Sequence, residues 1–493
     1  MRDYSFGNFI SVLRERSGLS QYQLGVLVGV SDKAVSKWEN GVSKPRIGTI
    51  RKLSEILDVS VDELLTCECA ACIRERKDLF ALKNRIMEAA QKRMKELYGE
   101  HPPVKIANRF KTEELMLHDQ EALLWMGFMG QLQKTFAEAD AYFDVRGAQM
   151  GASFVAWLLG GTEVNPLPAH YYCPTCKRVE FLPDEKCGLD APDKKCACGT
   201  EYQKDGFAID AVNMYPLPRN NEIYVSKNAT GIVKSCLKSY FEGCGEICEL
   251  DIRYGEGEEI SHSDSFKVTK YVLFSLENAR KYPEDRMTLM AEEYYGHMGD
   301  WSVLNVIENT EEEMGSRDVR NVKYTKEQIK AYARYAVEQR AFCNEYTGID
   351  LCNVISDMEN PKFSDLLVVS GFLHGTDVWT GNAEDLYNQG IPLDALISFR
   401  EDIYSYLYKK MNGICCDNPV GQAFEIKENV RKGKYSSQRM PAEIEKLLLE
   451  SDVPKWYVES MKKIRYLFPK THMIVILKRE ICRYITMKPC ERK

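Results

Sequence analysis

Early in the chain, apolar residues recur every three or four positions, the spacing of a buried helical face. Phe6, Phe9, Ile10 and Leu13 share one face of a first helix. Gly18-Leu19-Ser20 ends it and caps a second short helix over 21–28, and Gly29-Val30-Ser31 makes a tight turn. Ser31 caps a third helix, with Asp32 at its positive end and Ala34, Val35 and Trp38 pointing inward. Asn40-Gly41 stops it, and 47–57 and 61–65 predict two more helices. Leu79, Leu82, Ile86, Ala90, Met94 and Leu97 then mark a long helix over 73–97. Further helices are expected over 114–136 and 234–241, and a strand over 266–274. A last clear stripe, Ile329, Tyr332, Ala333, Val337 and Phe342, predicts a helix over 324–346 with Arg334 facing solvent. The fold class is multidomain, mainly α with a small α+β part.

The pattern breaks over 163–210, where prolines and glycines replace the apolar stripe. This stretch carries Cys173 and Cys176, separated by two residues, and Cys196 and Cys198, separated by one. Four thiolates around a zinc ion would hold a segment too polar to form a core of its own. Cys187 lies between the pairs and could take one ligand position. Cys67, Cys69 and Cys72 form a second group, one ligand short of a tetrahedral site.

The N-terminus has no secretory pattern, and no apolar run is long enough to span a bilayer. A cytoplasmic protein with no membrane partner is expected. Disulfides are then the poor reading of its seventeen cysteines. A formal net charge of −7 does not exclude nucleic acid, because a small basic face can sit on an acidic whole.

The first 66 residues resemble the Cro and phage-repressor family of helix-turn-helix domains. Leu19-Ser20-Gln21, Leu24, Gly29-Val30-Ser31, Val35-Ser36, Trp38-Glu39-Asn40-Gly41, Pro45 and Leu53 carry the resemblance. It implies a recognition helix over 31–40 in the major groove of double-stranded DNA. Lys33, Ser36 and Lys37 are the expected contacts, Gln21 anchors the second helix, and Lys44 and Arg46 suit phosphates. Trp38 reads as core. The helix over 73–97 is either a linker with one packed stripe or a dimerisation helix that gives a homodimer.

A second resemblance begins further on. Gly151-Ala-Ser153-Phe154-Val155, Thr162-Glu163-Val-Asn165-Pro166-Leu-Pro168-Ala-His170, the cysteines and Asp205-Gly206 follow one another as in the Gram-positive type of DNA polymerase III alpha subunit. It returns with Ser370-Gly371-Phe-Leu-His374-Gly375-Thr376-Asp377-Val378-Trp379 and continues to Pro469-Lys470-Thr-His472. The resemblance implies a palm-like part with structural zinc on Cys173, Cys176, Cys196 and Cys198, then a helical fingers-like part. In the latter, Arg431, Lys432, Lys434 and Lys470, with Lys462, Lys463 and Arg465, are either phosphate ligands or solvated cations on a retained scaffold.

Two departures bear on chemistry. Asp144-Val145 stands where the family's phosphate-cradling loop has its first glycine-serine pair. No Asp-x-Asp follows Asp205-Gly206, and Glu222 stands among asparagines. Two-metal polymerisation needs paired carboxylates, so no catalytic residue is assigned. The expected domains are 1–66, the helix-turn-helix head; 67–100, a connector; 101–225, a palm-like remnant with its zinc ribbon at 163–210; 226–361, unassigned; and 362–493, fingers-like. The acidic run of Asp251, Glu256, Glu258 and Glu259 reads as a solvated face. The expected function is sequence-specific double-stranded DNA binding, as in a transcriptional regulator, with an inactive polymerase fragment attached. The alternatives are a DNA-directed DNA polymerase, a non-catalytic partner of replication proteins, and a decaying gene fusion.

Overall fold

A computed structural model describes residues 4–57, 59, 61–66, 70–117, 120–141, 143–145, 149–215, 220–226, 229–241, 245–253, 267–275, 302–309, 322–412 and 418–486. The chain forms two compact units, 1–85 and 86–493.

The first unit holds α1 (Tyr4–Arg16), α2 (Gln21–Val28), α3 (Asp32–Glu39), α4 (Ile47–Ile56) and α5 (Val61–Thr66). The predicted stripes meet in one core of Phe6, Phe9, Ile10, Leu13, Leu24, Val28, Val35, Trp38, Ile50, Leu53, Leu57 and Leu64. Trp38 is core, as its spacing suggests. Ser20 and Gln23 form a reciprocal capping box on α2, and Gly29 closes that helix at φ 85°. Gly7 lets α1 approach the end of α3, since a Cβ there would lie 2.4 Å from the Glu39 carbonyl oxygen.

The helix predicted over 73–97 is α6 (Ala70–Tyr98), whose residues from 86 onward belong to the second unit. There Ile86, Ala90, Met94 and Tyr98 are buried. One helix was expected over 114–136. The chain instead forms α7 (Val104–Met116) and α8 (Gln120–Glu138), because Leu117 leaves helical geometry at ψ 90° and buries its side chain. Then come β1 (Phe143–Val145) and α9 (Phe154–Leu158). The ribbon is a three-stranded antiparallel sheet of β2 (His170–Tyr172), β3 (Val179–Phe181) and β4 (Gln203–Asp205), with β2 central.

After the ribbon come β5 (Asn220–Ser226), α10 (Thr230–Tyr240), β6 (Gly245–Arg253), β7 (Lys267–Ser275) and β8 (Ser302–Asn309). These strands join β1 in a five-stranded sheet ordered β1-β5-β8-β7-β6, with β5 and β8 parallel. The segments on either side of the expected 225/226 boundary therefore share one sheet. Asp251, read as part of a solvated acidic run, lies on β6, which is paired along its length with β7. Glu256, Glu258 and Glu259 lie outside the described residues, as do Cys67 and Cys69.

The rest is a helical lobe of α11 (Lys326–Glu338), the short hairpin β9 (Cys343–Asn344) and β10 (Ile349–Asp350), α12 (Cys352–Ser356), α13 (Phe363–His374), α14 (Glu384–Asn388), α15 (Arg400–Met411), α16 (Pro419–Arg431), α17 (Lys434–Ser437), α18 (Ala442–Glu450), α19 (Lys455–Lys463) and α20 (Lys470–Thr486). One apolar core runs from Ala152 and the ribbon flank to Ile481 on α20.

Two polar devices fix this unit. Arg109 on α7 donates to the carbonyls of Ile209 (2.7 Å) and Ala152 (2.6 Å) and pairs with Glu113. Glu113, fully buried, accepts from the Ser153 hydroxyl and the Phe154 and Val155 amides, all at the start of α9. These are donors a helix N-terminus otherwise leaves unpaired. In the ribbon, Asp190 accepts the Phe363 amide at 2.8 Å and so caps α13 across the sequence.

Candidate functional site

The head presents α3 with Lys33 and Lys37 exposed, four residues apart and hence on one face. Ser36 is half-buried, and its hydroxyl lies 3.3 Å from the Asn40 amide nitrogen. Behind this face, Glu39 accepts two hydrogen bonds from Arg14 (2.6 and 3.1 Å) and one from the Gln21 side chain (2.7 Å). The bond from Glu39 raises the Arg14 guanidinium further above its ordinary value. Gln21, the first residue of α2, is thus tied to α3. The Arg14–Glu39 pair spans two helices, and neither residue stands out in an apolar stripe. Lys44 is exposed, its ammonium 5.3 Å from the centre of the Phe6 ring, and Arg46 is exposed at the cap of α4.

In the ribbon, the sulfurs of Cys173, Cys176, Cys196 and Cys198 all lie within 4.8 Å of one another. The Cys173–Cys198 and Cys176–Cys196 sulfur pairs are 3.5 and 3.4 Å apart. Each pair sits on a tight turn. The Cys176 amide donates to the Cys173 sulfur, Lys177 takes φ 63°, and Gly199 takes φ 87°. Hydrogen bonding from Thr200 holds the Cys198 thiol down at about 6, whereas at Cys176 the Arg178 backbone bond is outweighed by the neighbouring thiols, which push the thiol up to about 11. A tetrahedral ion with metal–sulfur bonds of about 2.3 Å separates its sulfurs by about 3.8 Å, so the four fit a zinc ion. Cys187 is not among them. It is buried, its sulfur accepts the Leu189 amide, and burial pushes its thiol up. The single residue between Cys196 and Cys198 is accommodated without it.

The segments around β1 and β5 place the remaining candidates. Asp144 lies on β1 opposite Tyr224 of β5, and Val145 lies opposite Ile223. Asp144 is fully buried and forms an ion pair with Arg479 of α20, itself 4% exposed. The neighbouring Lys478 donates to the Glu163 carbonyl at 3.0 Å. Gly151 admits this helix, since a Cβ there would lie 2.7 Å from the Thr471 Cβ. On β5, Glu222 accepts a hydrogen bond from the Tyr224 hydroxyl at 2.7 Å. Asp210 stands at the cap of the turn over Ala211–Met214, and burial raises its carboxyl. Asp251 lies on β6, three strands from β5, about 14 Å away at ordinary strand spacing. Among the described residues, the groups that gather within metal-binding reach are the four-cysteine cluster and Cys343, Asp350 and Cys352.

Residues 10–64 match the helix-turn-helix family. The chain is also 27% identical over 460 residues to the PolC-type DNA polymerase III of Thermotoga petrophila, covering 79% of this chain and 33% of that protein. Against the PolC-type enzyme of Bacillus cereus it is 28% identical over 459 residues, covering 78% and 31%. Against that of Clostridium perfringens it is 26% identical over 446 residues, covering 77% and 30%. The chain is a helix-turn-helix domain joined to a region distantly homologous to PolC-type DNA polymerase III. It spans about a third of the length of these curated relatives.

Most cations singled out in the polymerase-like region face acids of the same lobe. Arg431 donates twice to Glu428, at 2.7 and 2.6 Å, and Lys432 lies 3.4 Å from the same carboxylate. Burial acts to raise the Glu428 carboxyl, but Arg431 and Lys427 outweigh it and hold it down at about 2. Lys462 pairs with Glu445 and Glu459, Arg465 with Asp377, and Lys470 with Asp402. Lys463 donates to the Gly381 carbonyl, and Lys434 is exposed. The ring of His374 donates from Nδ1 to the Ser370 carbonyl at 2.8 Å, a structural bond within α13.

Two outcomes follow. Arg479→Met leaves a carboxylate buried without its counter-ion and is expected to cost about 3–5 kcal/mol in urea denaturation. Asp144→Leu combined with Arg479→Met is expected to recover most of that loss. In the ribbon, Cys173→Ser with Cys198→Ser is expected to lose one zinc per chain and to open 184–200 to limited proteolysis. Unchanged metal content would remove the four-cysteine site.

Proposed function

We propose that this chain binds double-stranded DNA site-selectively through α3 of its head, as a regulator of transcription does. On this reading the polymerase-like region is a zinc-stabilised body that does not transfer nucleotides. The observation that carries it is the head. A helix-turn-helix match over residues 10–64 coincides with a capped α3 whose Lys33 and Lys37 project together. Lys44 and Arg46, exposed beyond α3, suit phosphates on the flank. Read as a homodimer, two such heads would meet two half-sites a helical turn apart.

The silent-body reading rests on side-chain chemistry. Polymerisation needs carboxylates free to bind two metal ions and a pocket that welcomes a triphosphate. Asp144 is engaged with Arg479, and Glu222 takes the Tyr224 hydroxyl.

Selection of bound sequences from a random duplex pool tests the reading, followed by band-shift titration of the full chain. A recurrent site is expected. Lys37→Ala and Lys33→Ala should each weaken binding to it. A lysine on phosphate should lower the salt slope by about one, whereas one on a base should lose about 1–3 kcal/mol and relax preference at that position. No enriched site, or equal binding by the parent and both variants, would overturn the assignment.

A further inference from the structure

The second sulfur cluster lies in the lobe, far along the chain from the ribbon. The hairpin of β9 and β10 pairs Cys343 directly with Asp350 and Asn344 with Ile349. Opposed residues on an antiparallel pair hold their side chains on one side. Cys352 opens α12, its amide donating to Asp350 Oδ1 at 3.0 Å. Its sulfur lies 3.4 Å from that of Cys343, the same separation as the Cys176–Cys196 pair of the ribbon. One ligand atom from each of Cys343, Asp350 and Cys352 falls within 4.8 Å of the others. Cys352 is buried, Cys343 half-buried and Asp350 exposed, so the cluster opens to solvent on one side.

We propose that Cys343, Cys352 and Asp350 form a second binding site for a thiophilic divalent cation of the zinc class, with water in the fourth position. Sulfur and carboxylate donors at this spacing suit zinc, which accepts three protein ligands and keeps one position open. Asp350 also accepts the Cys352 amide, and its carboxylate sets a third donor beside the two sulfurs, which a cation would use. Arg340 Nη2, 3.2 Å from Asp350 Oδ2, supplies the outer partner. Two thiolates and a carboxylate overbalance a divalent ion by one negative charge, and the guanidinium cancels it. The ion would clip a hairpin with two paired positions to the start of α12, releasing a proton from each thiol as it binds.

The test uses the full chain, purified with reductant, loaded with zinc and dialysed. Metal is counted by elemental analysis and Co2+ titration is followed by thiolate-to-metal absorption. Cys343→Ser with Cys352→Ser is expected to hold one zinc fewer per chain than the parent. Asp350→Asn, which keeps both thiols and the side-chain shape, is expected to weaken cobalt binding at this site by about tenfold or more, and it carries the test if the serine variant fails to fold. Equal zinc content and superimposable cobalt titrations for the parent and Asp350→Asn would overturn the proposal. So would a Cys343–Cys352 disulfide in the reductant-purified parent.

Discussion

The larger unit depends on a buried ion pair that joins its first strand, β1, to α20. Asp144 on β1 and Arg479 on α20 are 335 positions apart and both inside the core. Either charge alone would be strongly penalised there. Together they seat the last helix against the first strand, beside the close contact of Gly151 with Thr471 and the Lys478 bond to the Glu163 carbonyl. The pair also bears on function. By sequence, Asp144 stands where the resemblance would put a phosphate-cradling loop, yet it lies on β1. Paired with Arg479, it is a structural element in its own right.

The ribbon and the α7 hub extend the same logic. Arg109 and Glu113 gather the start of α9 and the chain leaving the ribbon at Ile209, and Asp190 caps α13. The ribbon thus organises the helical lobe through polar contacts, while four thiols hold its own turns. The cations of the lobe follow the pattern. Arg431, Lys462 and Lys470 meet carboxylates of their own lobe, and such pairs satisfy charge internally before any phosphate arrives.

How much could be read beforehand depended on range in sequence. The head was legible almost whole, because its stripes, caps and stops lie within a few residues of one another, and Trp38, Ser20 and Gly29 act locally. The four cysteines were legible because metal ligands impose spacing. The Arg14–Glu39 and Asp144–Arg479 pairs were not, since a charged residue gives no sign of burial until its partner is near. The strand β6 was hidden for a related reason. Asp251 reads with the acidic residues that follow it, and the strand shows only when β7, the next strand, pairs along it. Leu117 split a continuous helical pattern because tertiary burial overrode local propensity. Cys343 and Cys352 show no ligand-like spacing in the sequence; their sulfurs meet where the hairpin runs into α12.

On the proposed function, the polymerase-like region keeps its fold without transferring nucleotides, and the head binds DNA. The decisive measurement is primer extension by the purified full chain, with magnesium or manganese and all four deoxynucleotides on a primed template. No extension above a protein-free control is expected. Reproducible extension that Glu222→Gln abolishes would contradict that proposal.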